Sequence, residues 1–123
     1  MATILVVDDD PGCRKLTSRI LSLHGHRPIC AANGVEALGV LKENGPVDLV
    51  LLDLMMPVMD GFTFVNVVRE DPAWAGLPVI VVSGIADNAI TKRVQESGVQ
   101  GYLIKSRYGI DDLLEQVRTH VPS

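Results

Sequence analysis

The chain is poor in aromatic residues and in cysteine, and no charge of either sign dominates it. Of its 123 residues, 4% are aromatic, two are cysteines, and the formal net charge is −4. A mildly acidic chain without a basic stripe argues against nucleic acid as a direct partner, because phosphates are neutralised by Lys and Arg. Cys13 and Cys30 match no metal-site or disulfide spacing, and we expect both to be reduced thiols.

The sequence also lacks any apolar run long enough to cross a membrane. A transmembrane helix needs about 18 or more apolar residues, and Asp48, Asp53 and Asp60 interrupt the longest apolar stretch. Met1 leads directly into a strand-like run, without the basic segment that opens a signal peptide. We therefore expect a cytoplasmic protein with no membrane insertion. The length predicts one domain over residues 1–123.

What is present is a regular alternation of apolar runs and helical patterns. Short apolar runs without polar alternation are typical of strands buried on both faces, and they lie at Thr3–Val7, Asp48–Leu52 and Leu77–Val82. Two further short strands are predicted at Gly101–Ile104 and at Arg27–Ala32, the latter edge-like because Pro28 cannot donate a backbone hydrogen bond. Helical spacing follows each run, over residues 11–25, 34–44, 61–71, 86–98 and 110–120. Such alternation predicts an α/β protein with a doubly wound, five-stranded parallel sheet in the order 2-1-3-4-5.

The first predicted helix carries a clear start signal. Asp10 suits the N-cap position, and Pro11 suits the first helical turn, where a missing N–H costs nothing. Leu16, Ile20 and Leu23 recur at helical spacing and predict its apolar face.

Polar residues stand where the predicted strands end. Asp8 and Asp9 follow the first strand, Asp53 the third, Ser83 the fourth and Lys105 the fifth. Ligands of open α/β sheets bind outside the carboxyl ends of the strands. We therefore expect these side chains to converge on one edge of the sheet.

Three neighbouring carboxylates favour a bound cation, since like charges disfavour the ionised form. Hard oxygen ligands suit Mg²⁺, or alternatively Mn²⁺, better than zinc. Asp53 would then be a nucleophile toward phosphorus, with Lys105 and Ser83 stabilising the phosphoryl oxygens. No side chain is placed as an obvious general base, which indicates a site that accepts a phosphoryl group and holds it.

The chain resembles the receiver domains of bacterial response regulators along its whole length. The matching motifs are Val6-Val7-Asp8-Asp9, Leu52-Asp53-Leu54-Met55-Met56-Pro57-Val58-Met59-Asp60-Gly61, Val82-Ser83-Gly84 and Gly101-Tyr102-Leu103-Ile104-Lys105. The resemblance implies a flavodoxin-like (βα)5 fold. It also implies a role in a two-component system or phosphorelay. It also implies that Asp53 receives its phosphoryl group from a histidine kinase or a phosphotransfer protein.

The resemblance further implies roles for individual residues. Asp8 or Asp9, Asp53 and the backbone carbonyl of Met55 would bind Mg²⁺. Ser83 and Tyr102 would form a switch pair. A downstream protein target would bind at the face of the fourth helix, fifth strand and last helix, which carries Ile90, Lys92, Arg93, Val94, Tyr102 and Tyr108. The protein would catalyse only its own phosphorylation and dephosphorylation, and would not be an enzyme otherwise.

Three other functions are open to a chain of this architecture. A flavodoxin-type flavin binder needs a loop rich in donors for the flavin phosphate, whereas three aspartates follow the first strand here. A phosphatase of the haloacid dehalogenase type normally has a second Asp two residues after its nucleophile, where Met55 stands. The strongest alternative is a receiver-like adaptor that is never phosphorylated.

Overall fold

The strands of the protein pair in parallel into one sheet. The computed structural model describes residues 2–43, 46–53, 61–83, 92–93, 96, 99–104 and 109–121. The strands are β1 Thr3–Val7, β2 Arg27–Ala31, β3 Leu49–Leu52, β4 Val79–Ser83 and β5 Gly101–Ile104. Their order is β2-β1-β3-β4-β5, which confirms the predicted doubly wound topology. β2 lies at an edge, where Pro28 can be accommodated without a backbone donor.

Helices connect these strands and cover the sheet. They are α1 Pro11–Leu23, α2 Gly34–Glu43, α3 Gly61–Glu70 and, after β5, α4 Ile110–His120. The helix predicted over residues 86–98 falls almost wholly outside the described residues, and Lys92, Arg93 and Glu96 are helical. In the described part of the chain, no helix has both the length and the apolar composition that a membrane span requires.

The two largest core clusters among the described residues lie on opposite faces of the sheet. Successive strand residues point to opposite faces, so alternate residues of β1 and β3 enter different clusters. One cluster joins Val7 and Leu52 to residues of α2 and α3, such as Phe64. The other joins Val6 and Leu51 to residues of α1 and α4. The two-sided burial explains why β1 and β3 read as unbroken apolar runs.

The predicted apolar face of α1 is wrong in detail. Leu21 is the fully buried residue of this helix, whereas Leu16 is 61% exposed and Leu23 is 73% exposed. Polar contacts fix the rotation of the helix against β1 and β2: Arg14 Nη1 donates to the carbonyl of Asp8 at 2.7 Å, and Ser18 Oγ lies 2.8 Å from Cys30 Sγ. The side of α1 toward β1 and β2 thus carries Arg14, Ser18 and the buried Leu21, a set that the apolar spacing did not predict.

Candidate metal and phosphoryl-acceptor site

Adjacent strands bring two aspartates to the same edge of the sheet. Asp8 directly follows β1, and Asp53 directly follows β3. The last residues of these strands, Val7 and Leu52, are register partners. The backbone N–H of Asp53 donates to the carbonyl of Val7 at 2.9 Å, so the strand pairing continues up to the carboxylates. The two side chains therefore start from backbone positions that the sheet itself holds.

The carboxylates of Asp8, Asp9 and Asp53 form a compact cluster. One oxygen from each lies within 4.8 Å of the others. Asp8 and Asp53 are each 7% exposed, whereas Asp9 is exposed to solvent. Oxygens bound to one Mg²⁺ ion lie about 3–4 Å apart, given its octahedral geometry and short bonds. Small side-chain rotations would bring this oxygen set to that spacing, so the residues fit a magnesium ion.

The turn after β1 holds the Asp8 carboxylate in place. Asp8 Oδ1 accepts a hydrogen bond from the backbone N–H of Asp10 at 2.9 Å. Asp10 in turn caps α1, since its Oδ1 accepts from the N–H of Gly12 at 2.9 Å. The predicted N-cap role of Asp10 and the position of Pro11 in the first turn are confirmed. Asp10 therefore lies outside the cluster and holds Asp8 in place, whereas Asp8 and Asp9 are members of the cluster.

The floor beneath the carboxylates is apolar. A cavity of about 180 Å³ lies beside Asp8 and Asp53, between the sheet, α1 and α4. Its walls are largely apolar and include Val6, Leu16, Leu51, Val82 and Leu113. Electrostatic interactions are stronger where water is excluded on one side. This floor raises the repulsion among the carboxylates and the attraction of a cation for them.

The other predicted site residues are described only in part. The backbone of Ser83 ends β4, next to β3, and pairs in register with Ile104 at the end of β5. Met55 and Lys105 lie outside the described residues, as do Ile90, Val94 and Tyr108 of the predicted docking face. Within the described chain, the structure thus brings three carboxylates together and places the Ser83 backbone at the same edge.

Tyr102 lies on β5, away from the carboxylates. It is half-buried and packs against a cluster formed by Phe62 of α3 and Val81 of β4. Val81 and Tyr102 are register partners, so their side chains share one face of the sheet. Sequence analysis did not identify Phe62 as a neighbour of Tyr102, because the two residues are distant in the chain and no local pattern connects them.

Comparison with known proteins gives consistent matches over nearly the whole chain. Residues 4–118 match the response regulator receiver domain family. The DNA-binding dual master transcriptional regulator RpaA of Synechocystis is 33% identical over 120 residues, which are 96% of this chain and 48% of that protein. The structure of the chemotaxis protein CheY4 of Vibrio cholerae has a TM-score of 0.90 at 29% identity, covering 98% of this chain and 99% of that one.

A third match is to a structure that holds a metal ion. The response regulator TrrA of Thermotoga maritima was solved in complex with Mg²⁺ and BeF, and it has a TM-score of 0.85 at 29% identity. The match covers 98% of this chain and 100% of that chain. Curated relatives are longer, since this chain spans between 14% and 51% of the length of three of them. The similarity therefore concerns one shared module.

Proposed function

The chain belongs to the response regulator receiver family, and from this premise we propose that it is a phosphorylation-dependent signalling switch. Asp53 is the phosphoacceptor, and the module extends over residues 1–123. The observation that carries the proposal is the cluster of Asp8, Asp9 and Asp53, with carboxylate oxygens within 4.8 Å of one another. Receiver domains bind Mg²⁺ at such aspartate clusters and are generally not enzymes in the usual sense.

The residues of the chain have separate roles in phosphoryl transfer. Asp8, Asp9, Asp53 and the backbone carbonyl of Met55 would hold Mg²⁺, which neutralises charge on the transferred group when it is bound. A carboxylate oxygen of Asp53 attacks phosphorus, the bond from phosphorus to the donor breaks, and the donor leaves with that electron pair. Lys105 and Ser83 stabilise the phosphoryl oxygens. The reaction needs mainly such positioning and charge stabilisation.

The partners follow from the direction of this transfer. Receiver domains interact with histidine kinases and downstream effectors. We propose a histidine kinase or a phosphotransfer protein as the donor, and a protein as the downstream target. Direct binding to nucleic acid is not part of the proposal, since the chain has a net charge of −4 and no basic stripe.

Phosphorylation would be communicated through a switch pair. The hydroxyl of Ser83 would move toward the phosphoryl group and donate to it. Tyr102 would then turn inward into the space that the Ser83 side chain leaves. The target-binding face, formed by the helix predicted over residues 86–98 together with β5 and α4, would then change. A differential contact energy of a few kcal/mol suffices to shift such an equilibrium.

Chemical phosphorylation with matched variants tests the proposal. The protein is incubated with acetyl phosphate, with Mg²⁺ or with EDTA, and its intact mass is measured. We expect one added phosphoryl group with Mg²⁺, none with EDTA, and none in Asp53→Asn. Asp10→Asn is the matched control, because Asn also caps helices and Asp10 lies outside the cluster. Equal labelling of wild type and Asp53→Asn would refute the assignment, and an unlabelled wild type would favour the unphosphorylated adaptor.

A further inference from the structure

A cation–π contact joins α3 to the segment before β5. Cζ of Arg93 lies 3.8 Å from the centroid of the Phe62 ring. Phe62 is the second residue of α3, and 9% of it is exposed, while Arg93 itself is exposed. A planar guanidinium at this distance stacks favourably on an aromatic face. Arg93 therefore covers an aromatic ring that would otherwise border solvent.

The ring that Arg93 covers belongs to the cluster that contains Tyr102. Phe62 and Val81 are its buried members, and Val99 and Tyr102 pack against them. Any change in the tilt of the Phe62 ring changes the surface on which Tyr102 rests, because close-packed side chains transmit displacement. Arg93 and Tyr102 thus act on the same small apolar cluster from different elements.

We infer that Arg93 is a positioning residue that, through the Phe62 ring, controls how Tyr102 packs. Its consequence for signalling rests on the proposed function, in which Tyr102 turns inward on phosphorylation. The contact stabilises the arrangement in which Tyr102 packs against Phe62 and Val81. This is the arrangement before Tyr102 turns inward, so loss of Arg93 lowers its population and therefore lowers the concentration of phosphoryl analogue needed to switch the protein.

Fluorine NMR of the full chain tests this inference at Tyr102. The protein has two tyrosines, Tyr102 and Tyr108, so 3-fluorotyrosine labelling in a Tyr108→Phe background leaves one signal. The variants are Arg93→Ala, Phe62→Leu, the double variant, and Arg93→Lys, which keeps the charge but loses the planar stack. Glu96→Ala is the matched control, since Glu96 is exposed on the same segment.

In the free protein, we expect Arg93→Ala and Phe62→Leu each to move the Tyr102 signal, with no further movement in the double variant. Arg93→Lys should recover part of the wild-type position, and Glu96→Ala should match wild type. In a titration with beryllofluoride and Mg²⁺, the midpoint for Arg93→Ala should fall about two- to fivefold, the range of an exposed cation–π contact. Mg²⁺ affinity without beryllofluoride should stay unchanged.

The two parts of the experiment separate this inference from the function it builds on. An unmoved Tyr102 signal in Arg93→Ala, or additive effects in the double variant, would overturn the role of Arg93. An unchanged titration midpoint would overturn its effect on switching. If beryllofluoride leaves the wild-type signal unmoved, the proposed switch fails, while the spectra of the free variants still decide whether Arg93 positions Tyr102.

Discussion

Nη2 of Arg69 lies 3.0 Å from Oε1 of Gln100, and this hydrogen bond joins the end of α3 to the residue before β5. The same Gln100 oxygen accepts from the backbone N–H of Val79 at 2.7 Å. Nη1 of Arg69 donates to three backbone carbonyls of the α3–β4 loop, those of Trp74, Ala75 and Leu77. One guanidinium thus fixes the entries of β4 and β5, the strands that lead to Ser83 and toward Lys105.

Replacing Arg69 with Met should destabilise the protein by about 2 kcal/mol, since three backbone carbonyls, two of them in partly buried contacts, lose their donor. Burial lowers the pKa of Arg69, but a guanidinium stays protonated in proteins, so its donors are available at any working pH. Urea unfolding measures the loss. Arg118→Met is the control, because Arg118 is 76% exposed and pairs with Glu115 on the surface of α4. Its expected change is within about 0.5 kcal/mol, and equal losses in both variants would contradict the structural role of Arg69.

Asp53→Asn should stabilise the protein in EDTA. Removing one charge from three carboxylates within 4.8 Å relieves repulsion, and we expect the free energy of unfolding to rise by about 1–2 kcal/mol. Adding Mg²⁺ should stabilise the wild type more than the variant and reduce this difference. The exposed Asp111, outside the cluster, provides a control as Asp111→Asn. A loss of stability in Asp53→Asn under EDTA would show that the carboxylates do not repel each other in the folded protein.

The free energy of unfolding should fall in mildly acidic solution, because His26 gains a proton on unfolding. Burial first, and then neighbouring positive charge that includes His24, lowers the pKa of His26 below its ordinary 6.5. Its Nδ1 accepts a hydrogen bond from the backbone N–H of Ala2 at 3.3 Å, which requires that this nitrogen carry no proton. Because the unfolded chain binds the proton more readily, this stabilisation is present above about pH 6.5 and is lost as the pH falls through the lowered pKa.

Urea unfolding at pH 7.5 and at pH 5.5 measures this effect, with His26→Asn as the comparison. Asn offers an acceptor near the position of Nδ1 but does not titrate. The difference between wild type and His26→Asn should therefore change with pH, with wild type losing more stability at the lower value. Parallel losses in both proteins would assign the acid sensitivity to other groups.

Much of this fold can be read from the chain. The inner strands β1, β3 and β4 are apolar runs with both faces buried, and the edge strands β2 and β5 are short runs that are only partly buried. The pattern places all five, and alternation with helices leads to the observed order. Asp10 and Pro11 mark the start of α1 because caps depend on residues that are neighbours in sequence. Asp8 and Asp53 follow their strands directly, so the strand assignment is enough to predict that they lie at one edge of the sheet.

Other features depend on contacts between distant parts of the chain. The side of α1 that meets the sheet carries the buried Leu21 and the contacts of Arg14 and Ser18, which hydrophobic spacing did not reveal. The contact between Arg93 and Phe62 needs two elements whose relative position no local pattern specifies.

The amino-acid order by itself determined the strands and the carboxylates at their ends, because burial periodicity and caps are local properties. The order of the strands in the sheet followed from their alternation with helices. Only the tertiary structure decided the spacing of those carboxylates, the rotation of α1 and the partners of Arg69 and Arg93. Side-chain geometry across elements depends on how packed surfaces meet, and that is settled when the whole chain folds.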